Sequence, residues 1–290
     1  MTIPGFVPQS RTESIETLIR MALAEDVGPG DCTTEWTVPA AATGTARIVA
    51  KASVVIAGIE PACRVFQSVD PHLEISVSVR DGGSAEPGDT VLEVSGGIAA
   101  ILQAERTALN FLGRLSGIAT LTRAFAKELE GTSARVVDTR KTTPGWRMLE
   151  KDAVRAGGGR NHRMGLHDMV LIKENHVAAA GGISAALASV KAANHAGLPV
   201  EIEVRNLEEF GEALANLPTR IMLDNMSLGD MRDAVRIASS LGSERPDLEA
   251  SGNVTLDTIK RIGQTGVDLI SVGALTHSAP VADLSLKLEA

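Results

Sequence analysis

The chain has 290 residues, with 28 Lys and Arg against 36 Asp and Glu and a net charge of −8 at pH 7. Its 44% hydrophobic and 22% charged residues are typical of a folded globular protein. Five Phe, two Trp and no Tyr leave few aromatic rings for stacking on bases, and the acidic balance disfavours contacts with a phosphate backbone. Both features exclude a general nucleic-acid-binding function.

Cysteine content, the first residues and hydropathy predict where the protein works. Cys32 and Cys63 form no disulfide framework and are typical of a reducing cytosol. The segment MTIPGFVPQSRTE lacks the basic and apolar regions of a signal peptide, and no run of 18 apolar residues indicates a membrane span. We therefore expect a cytoplasmic protein with no membrane partner.

The first part of the chain mixes helices and strands irregularly, which predicts a compact α+β unit. The pattern S-R-T-E at 10–13 predicts a capping box at the start of the first helix. Strands are predicted over 45–58, 73–79 and 90–94. A helical pattern runs from Ile98 to Glu130, in which Gly113 and Gly117 predict a break between two helices.

In the second part, short apolar strands alternate with helix-length amphipathic segments. The strands are predicted over 134–138, 168–172, 200–204, 220–224, 247–251 and 268–272. This alternation indicates parallel pairing through right-handed crossovers. It favours a (β/α) barrel domain over 116–277, with a doubly wound open sheet as the alternative. The first domain is predicted over 1–115, and the alternating segment 278–290 is expected to return to it as a strand.

Polar or glycine residues follow each apolar strand, and in a β/α barrel these strand ends converge on one face. The segment from Asp138 to His176 holds eight Lys and Arg against five Asp and Glu, although the whole chain is acidic. These cations surround the glycine-rich loop RAGGGRNHRMG at 155–165. Focused cations beside glycines predict a site for small, highly charged anions such as phosphates and carboxylates.

Acidic residues and two glycine turns complete this predicted site. Glu203 and Asp224 lie at the ends of neighbouring predicted strands and are oxygen ligands suited to Mg²⁺ shared with a phosphate. Salt bridges to nearby cations are an equal alternative. The strand–Gly–helix turns at Gly252 and Gly273 lie on the last two strands, where barrels commonly bind phosphate.

Two segments, DTRKTTPGWRMLEKDAV at 138–154 and GGGRNHRMGLHDMVLIKENH at 157–176, resemble the signature of the quinolinate phosphoribosyltransferase family. Five further blocks occur in the family's order: ERTALNFLGRLSGIAT, EIEVRN, IMLDNM, EASGNVTLDTI and GVDLISVGALTHS. The resemblance thus covers nearly the whole chain.

The resemblance implies an N-terminal α/β sandwich domain joined to an open seven-stranded (β/α) barrel. It implies transfer of a phosphoribosyl group from 5-phosphoribosyl 1-pyrophosphate to quinolinate with decarboxylation, which gives nicotinate mononucleotide, pyrophosphate and CO2 in NAD biosynthesis. Mg²⁺ is the implied cofactor. A homodimer is also implied, in which a basic residue of one subunit completes the active site of the other, and dimers can assemble further.

Site residues are carried over from the family position by position. The partner-supplied arginine matches Arg106, and the catalytic residues would be Lys141, Glu203 and Asp224, the two acids also lying near the metal. The remaining substrate-binding positions match Arg140, His162, Arg163, Lys173, Ser251, Gly252, Gly273 and His277. For His162, a histidine that caps a turn through its ring nitrogens is the alternative.

Five positions depart from the family pattern and leave details of the substrate loops open: Trp146, Asp152, His167, Glu174 and Asn253. Two other functions are alternatives. One is a paralogue of the same fold associated with molybdenum transport. The other is a barrel lyase that forms a Schiff base on Lys173, a chemistry known for lysines on barrel strands.

Overall fold

The computed structural model describes residues 10–289, so the segment assessed for a signal peptide lies mostly outside the described residues. The chain divides into two compact units. The first contains the residues through Leu121, Thr143–Gly157 and the residues from Ala279 onward, and the second contains Thr122–Thr142 and Gly158–Ser278.

The first unit combines helices with an antiparallel sheet. Its helices are α1 (Arg11–Val27), α2 (Cys32–Thr37), α3 (Ile59–Val69), most of α4 (Ile98–Glu128) and α5 (Arg147–Ala156). Its strands are β1 (Thr43–Ala50), β2 (Val54–Val55), β3 (Glu74–Val77), β4 (Ser84–Ala85), β5 (Thr90–Gly97) and β12 (Leu284–Glu289). Four of them form a sheet in the order β12-β1-β5-β3, while β2 pairs with β4.

Two local predictions for this unit are confirmed. Ser10 and Glu13 form the capping box that starts α1, each side chain accepting from the other's backbone N–H. The tail returns as β12 and pairs antiparallel with β1, from Thr45 opposite Glu289 to Ala50 opposite Leu284.

The predicted break near Gly113 and Gly117 is wrong, because α4 runs without interruption for 31 residues. Close packing explains both glycines. A Cβ at Gly117 would overlap the carbonyl oxygen of Pro280, and one at Gly113 would lie 2.9 Å from Val281 Cγ1. The Gly113 carbonyl also accepts a hydrogen bond from the N–H of Ala282 at 2.9 Å. The glycines therefore allow the 280–282 backbone to pass close to the helix.

The second unit is built on a parallel sheet. Its strands are β6 (Arg135–Val137), β7 (Val170–Ile172), β8 (Val200–Val204), β9 (Arg220–Asp224), β10 (Asp247–Ser251) and β11 (Leu269–Ser271). Its helices are α6 (Glu174–Ala180), α7 (Ile183–Ala193), α8 (Leu207–Ala215), α9 (Leu228–Ser239), α10 (Leu256–Gly263) and α11 (Ala274–His277), with a 3-10 turn at Gly242–Glu244.

The strand order β6-β11-β10-β9-β8-β7 follows the chain around the sheet without reversing. A doubly wound sheet would reverse at a switch point, so this order excludes the alternative and supports the barrel. Six strands form the sheet, and a further segment contributes one parallel bridge, from Arg160 to Val137 at the free side of β6. The described sheet therefore has six of the seven strands that the resemblance implies.

Period-two alternation divides the side chains of each strand between two faces. On β8, Ile202 and Val204 share one face, and Glu201 and Glu203 share the other. Register places Glu201 opposite Arg220. Alternation therefore gathers charged side chains of three neighbouring strands on a single face of the sheet, where they form the base of a site.

Within the described part of the chain, no single helix is long and apolar enough to cross a membrane. The bent pair α6 and α7 meets the requirements for a membrane span in length and apolar composition only.

Candidate active site

A pocket of about 890 Å³ lies within the second unit, at the carboxyl ends of its strands. Its wall contains every predicted site residue of that unit: Arg140, Lys141, His162, Arg163, Lys173, Glu203, Asp224, Ser251, Gly252, Gly273 and His277. Arg106 belongs to the first unit, where its side chain is 62% exposed and lies 4.0 Å from Glu105. The carboxyl ends of the strands in the second unit thus bring its predicted site residues together around one pocket.

Glu203 and Asp224 lie at the carboxyl ends of the neighbouring strands β8 and β9, and both line the pocket. Glu203 Oε2 lies 2.6 Å from Lys173 Nζ. Asp224 Oδ2 accepts a hydrogen bond from Asn225 Nδ2 at 3.0 Å. The two carboxylates present oxygen atoms to the pocket, and Lys173 partly neutralises the charge of Glu203.

The loops that follow β9 and β10 hold each other in an unusual backbone conformation. Asn225 and Asn253 both have positive φ, +52° and +48°, and Asn253 Nδ2 donates to Asn225 Oδ1 at 3.2 Å. Gly252 has a φ of +103°, and a Cβ there would overlap the side-chain amide of Asn225. Only glycine fits this position, where the chain turns from β10 towards α10.

The last turn of the pocket wall is formed by Gly273 and α11. A Cβ at Gly273 would lie 3.0 Å from Lys141 Cδ and 3.2 Å from the His277 ring. Thr276 Oγ1 donates to the carbonyl of Lys141 at 2.8 Å, which ties α11 to the loop after β6. Gly273 therefore leaves room for the side chains of Lys141 and His277 to stand side by side.

Arg163 and Arg140 lie on the same wall, and their charges influence each other. Burial lowers the pKa of Arg163, and the nearby guanidinium of Arg140 lowers it further. Two like charges in one partly buried pocket favour a bound anion, because the anion relieves their repulsion.

Two aspartates shape the glycine-rich loop that presents these groups. The buried Asp138 accepts a hydrogen bond from the N–H of His162 at 2.8 Å. Asp168 accepts from the N–H groups of Met164 and Gly165 at 2.6 and 2.9 Å. Burial raises the pKa of Asp168, but these backbone donors outweigh it and the net pKa is lowered. Asp138 and Asp168 therefore fix the backbone of this loop through hydrogen bonds from its N–H groups.

Below the loop lies a cluster that was not predicted from the sequence as part of the site. His162 Nε2 lies 2.8 Å from Glu201 Oε2 and 3.5 Å from Glu249 Oε2. Arg220 Nη1 lies 3.0 Å from Glu249 Oε2 and 3.9 Å from Glu201 Oε2. The alternation of polar and apolar residues in VEIEV and DLEAS is the signal that could have identified both glutamates.

Both glutamates of this cluster are fully buried. Desolvation raises the pKa of Glu201 to about 7, against the opposing charges of Arg220 and Arg163. Desolvation, followed by repulsion from Glu201, raises the pKa of Glu249 to about 7. One proton is thus favoured on the pair near neutral pH.

Four of the five positions that depart from the family pattern have local contacts. Trp146 stacks on Phe111 with ring centroids 4.6 Å apart, and Asp152 pairs with Arg11 and Arg155. Glu174 pairs with Arg205 at 2.7 Å. Asn253 holds Asn225 as described, so none of these four removes a cation from the pocket.

Comparisons with known proteins agree along the whole chain. The family model "Quinolinate phosphoribosyl transferase, C-terminal domain" matches residues 118–287, and the corresponding N-terminal domain matches residues 31–116. The chain is 45% identical to "Quinolinate phosphoribosyltransferase [decarboxylating] 1b" of Nicotiana tabacum, over 97% of this chain and 84% of that protein. It is 42% identical to "Probable nicotinate-nucleotide pyrophosphorylase [carboxylating]" of Synechocystis sp., over 94% and 92%.

Solved structures give the same result. The nicotinate-nucleotide pyrophosphorylase of Francisella tularensis superposes with a TM-score of 0.92 at 38% identity, over 97% of this chain and 98% of that one. The corresponding protein of Ehrlichia chaffeensis superposes with a TM-score of 0.88 at 35% identity, over 98% and 100%.

Proposed function

The chain belongs to the quinolinate phosphoribosyltransferase family, and from that premise we propose that it transfers the phosphoribosyl group of 5-phosphoribosyl 1-pyrophosphate to quinolinate. The products are nicotinate mononucleotide, pyrophosphate and CO2, as in NAD biosynthesis. The observation that carries the proposal is the pocket itself, in which four cations, Arg140, Lys141, Arg163 and Lys173, surround two carboxylates on adjacent strands. Both substrates are polyanions, and such a pocket is complementary to them.

The two arginines and the glycine turns have separate roles in binding. Arg140 and Arg163 would hold the two carboxylates of quinolinate, because a guanidinium can bind a carboxylate through two parallel hydrogen bonds. Ser251, Gly252 and Gly273 would receive the 5′-phosphate, with His277 beside them, since backbone N–H groups at strand–helix turns bind phosphate. This arrangement orients the pyridine nitrogen towards the ribose.

The reaction proceeds in two stages. The pyridine nitrogen bonds to C1 of the ribose while the bond from C1 to the pyrophosphate oxygen breaks. The ring nitrogen is now quaternary. The bond between ring carbon C2 and its carboxylate then breaks, its electron pair stays on C2 of the ring as CO2 leaves, and C2 takes a proton. Lys141 and Lys173 stabilise the charge on the leaving pyrophosphate and on the substrate carboxylates, so catalysis is by positioning and electrostatics.

Glu203 and Asp224 fit Mg²⁺, because both offer carboxylate oxygens to the pocket and hard cations prefer such ligands. We propose that these two residues would hold the metal. When bound, Mg²⁺ neutralises charge on the pyrophosphate group.

We further propose a homodimer in which Arg106 of one subunit completes the site of the other, and a cytoplasmic location. The exposure of Arg106 supports the first, because an arginine that serves a partner's site must be accessible on its own subunit. Cysteine usage supports the second, although five of the plant relatives are named as mitochondrial or chloroplastic proteins.

The alternatives have less support. Lys173 is 48% exposed and pairs with Glu203, whereas a Schiff-base lysine is activated by an apolar, desolvated pocket. The names of the relatives favour phosphoribosyl transfer over the molybdenum-transport-associated paralogue.

The test is an assay of purified protein with Mg²⁺, 5-phosphoribosyl 1-pyrophosphate and quinolinate, in which nicotinate mononucleotide is measured. We expect product with quinolinate and none with nicotinate, which lacks the second carboxylate. A folded protein that gives no product would contradict the proposed reaction, and equal rates with nicotinate would contradict the roles of Arg140 and Arg163.

A further inference from the structure

The buried cluster of His162, Glu201, Glu249 and Arg220 lies beneath the wall that carries Arg163. Side-chain exposure is 6% for His162, 0% for both glutamates and 18% for Arg220. Of these four residues, the resemblance assigns a role only to His162, as a substrate-binding cation. The contacts of its ring indicate a different role.

Both ring nitrogens of His162 are engaged by the protein. Nδ1 accepts a hydrogen bond from the N–H of Arg163 at 2.7 Å, so Nδ1 carries no proton. The ring proton is therefore on Nε2, which lies 2.8 Å from Glu201 Oε2, a charge contact that does not meet hydrogen-bond geometry. In this tautomer, the imidazole joins the backbone of Arg163 on one side to a buried carboxylate on the other.

Arg220 completes the cluster from β9. Its Nη1 contacts one oxygen of each glutamate, at 3.0 Å for Glu249 and 3.9 Å for Glu201. The ligand atoms of His162, Glu201 and Glu249 lie within 4.8 Å of one another, a spacing that a metal ion could use. A guanidinium already in contact with both carboxylates opposes a second cation there, so the geometry favours a structural network over a metal site.

The Arg163 backbone is fixed by neighbours on both sides. Asp138 accepts from the N–H of His162 at 2.8 Å, and the His162 ring accepts from the next N–H, that of Arg163. Arg163 Nη1 donates to the carbonyl of Met169 at 3.3 Å. The direction in which the Arg163 side chain leaves the loop thus depends on where the His162 ring is held.

We propose that His162 is a positioning residue, which Glu201, Glu249 and Arg220 hold in one tautomer so that Arg163 meets a substrate carboxylate. This inference rests on the proposed function, and it replaces a direct cationic role for His162. A neutral ring that carries its proton on Nε2 positions Arg163 in this way, and a positively charged ring does not.

Two substitutions of the histidine separate these roles. His162→Gln keeps an N–H near the position of Nε2, whereas His162→Lys keeps a cation and loses the planar donor. We expect the KM for quinolinate to rise about tenfold in the Gln variant and about a hundredfold in the Lys variant. The KM for 5-phosphoribosyl 1-pyrophosphate should stay within about twofold in both. A smaller rise in the KM for quinolinate in the Lys variant than in the Gln variant would overturn the proposal.

A second pair of variants tests the carboxylate. Glu201→Gln keeps an oxygen beside Nε2, and Glu201→Leu removes it at similar volume. We expect the Leu variant alone to show the quinolinate-specific rise in KM, with thermal melting used to confirm that both variants fold. Equal effects on the KM of both substrates in the Leu variant would indicate general damage and contradict the proposal.

A spectroscopic measurement is independent of activity. In protein labelled with ¹⁵N-histidine, the signal lost in His162→Gln identifies this ring, and long-range ¹H–¹⁵N correlations report its tautomer. We expect the Nε2–H pattern near neutral pH, unchanged when quinolinate is added. An imidazolium pattern, or one that changes with quinolinate, would overturn the proposal. A wild-type protein with this pattern but no product would instead contradict the proposed function.

Discussion

At the scale of single residues, a few backbone positions decide how closely the loops of the site approach one another. Gly252 turns with a φ of +103° against the side-chain amide of Asn225, whose own φ is +52°. The N–H of Asn225 donates to the carbonyl of Ser251 at 2.9 Å, so the two loops share one set of contacts. A change at Gly252 is therefore transmitted directly to the residue after Asp224.

Replacement of Gly252 by Ala should disrupt this turn. The added Cβ meets the Asn225 amide, and the positive φ costs about 1–3 kcal/mol for a residue other than glycine. We expect the KM for 5-phosphoribosyl 1-pyrophosphate to rise at least about tenfold, with a smaller change for quinolinate. Steady-state kinetics with each substrate varied in turn measures this. The control is Gly181→Ala: this glycine also has positive φ, but nothing lies within 4 Å of its Cβ position, so backbone strain acts there without a clash.

The buried glutamates predict a pH dependence of stability. Because the folded-state pKa of Glu249 is raised to about 7 from 4.5, the folded protein binds a proton that the unfolded chain releases within that window. The free energy of unfolding therefore falls as pH rises from 4.5 to 7, by at most about 3 kcal/mol for one such group. In Glu249→Gln this fall should be smaller.

Urea unfolding at a series of pH values checks this prediction through the midpoint of the transition. Glu208→Gln serves as the control, because Glu208 is exposed on α8 and its removal should leave the slope unchanged. A Glu249→Gln variant whose midpoint varies with pH as steeply as that of the wild type would contradict the raised pKa.

At the scale of elements, α4 and α8 show that glycines inside helices can have different structural roles. Gly113 and Gly117 occur inside a continuous helix because the segment 280–282 passes against them. Gly211 lies in the middle of α8, where it is exposed and nothing lies within 4 Å of its Cβ position. Sequence alone cannot distinguish these cases, because each is a glycine in an amphipathic pattern.

Gly117→Ala and Gly211→Ala are therefore a matched pair with opposite expected signs. The first forces the helix away from the Pro280 carbonyl and should lower the free energy of unfolding by about 1–3 kcal/mol. The second should raise it by about 0.5–1 kcal/mol, because alanine has the higher helix propensity. Thermal or urea unfolding measures both. A neutral Gly117→Ala would show that the helix and the 280–282 segment do not pack as described.

At the scale of the whole molecule, the pocket of the second unit contains all the predicted site residues except Arg106. Arg106 lies on α4 with a largely exposed side chain. Among the described ion pairs, Arg106 makes a 4.0 Å contact with its sequence neighbour Glu105, and a shared active site would give this exposed side chain a role.

Mixing two inactive variants tests the shared site. If the proposed shared site contains both cations, Arg106→Ala and Arg140→Ala should each lose most activity. If two chains form each site, random mixing should restore up to about a quarter of wild-type activity, since half the dimers are mixed and each has one intact site. Arg236→Ala, on an exposed face of α9, is the control and should remain active. Sites formed by one chain alone would show no recovery.

The sequence by itself determined the alternation of elements, the barrel, the return of the tail and the charge of the site. Those properties depend on local periodicity, on the convergence of parallel strand ends, and on motifs whose residues are contiguous. Family resemblance then supplied the identities of the substrates.

Only the tertiary structure decided which residues meet across strands. It joined Glu201, Arg220 and Glu249 beneath His162, from the three consecutive strands β8, β9 and β10, because their side chains share one face of the sheet. It also showed α4 to be a single helix, because the reason for its glycines lies more than 160 residues away at Pro280. Pairings of this kind have no local signal, since they arise from register and close packing between distant segments.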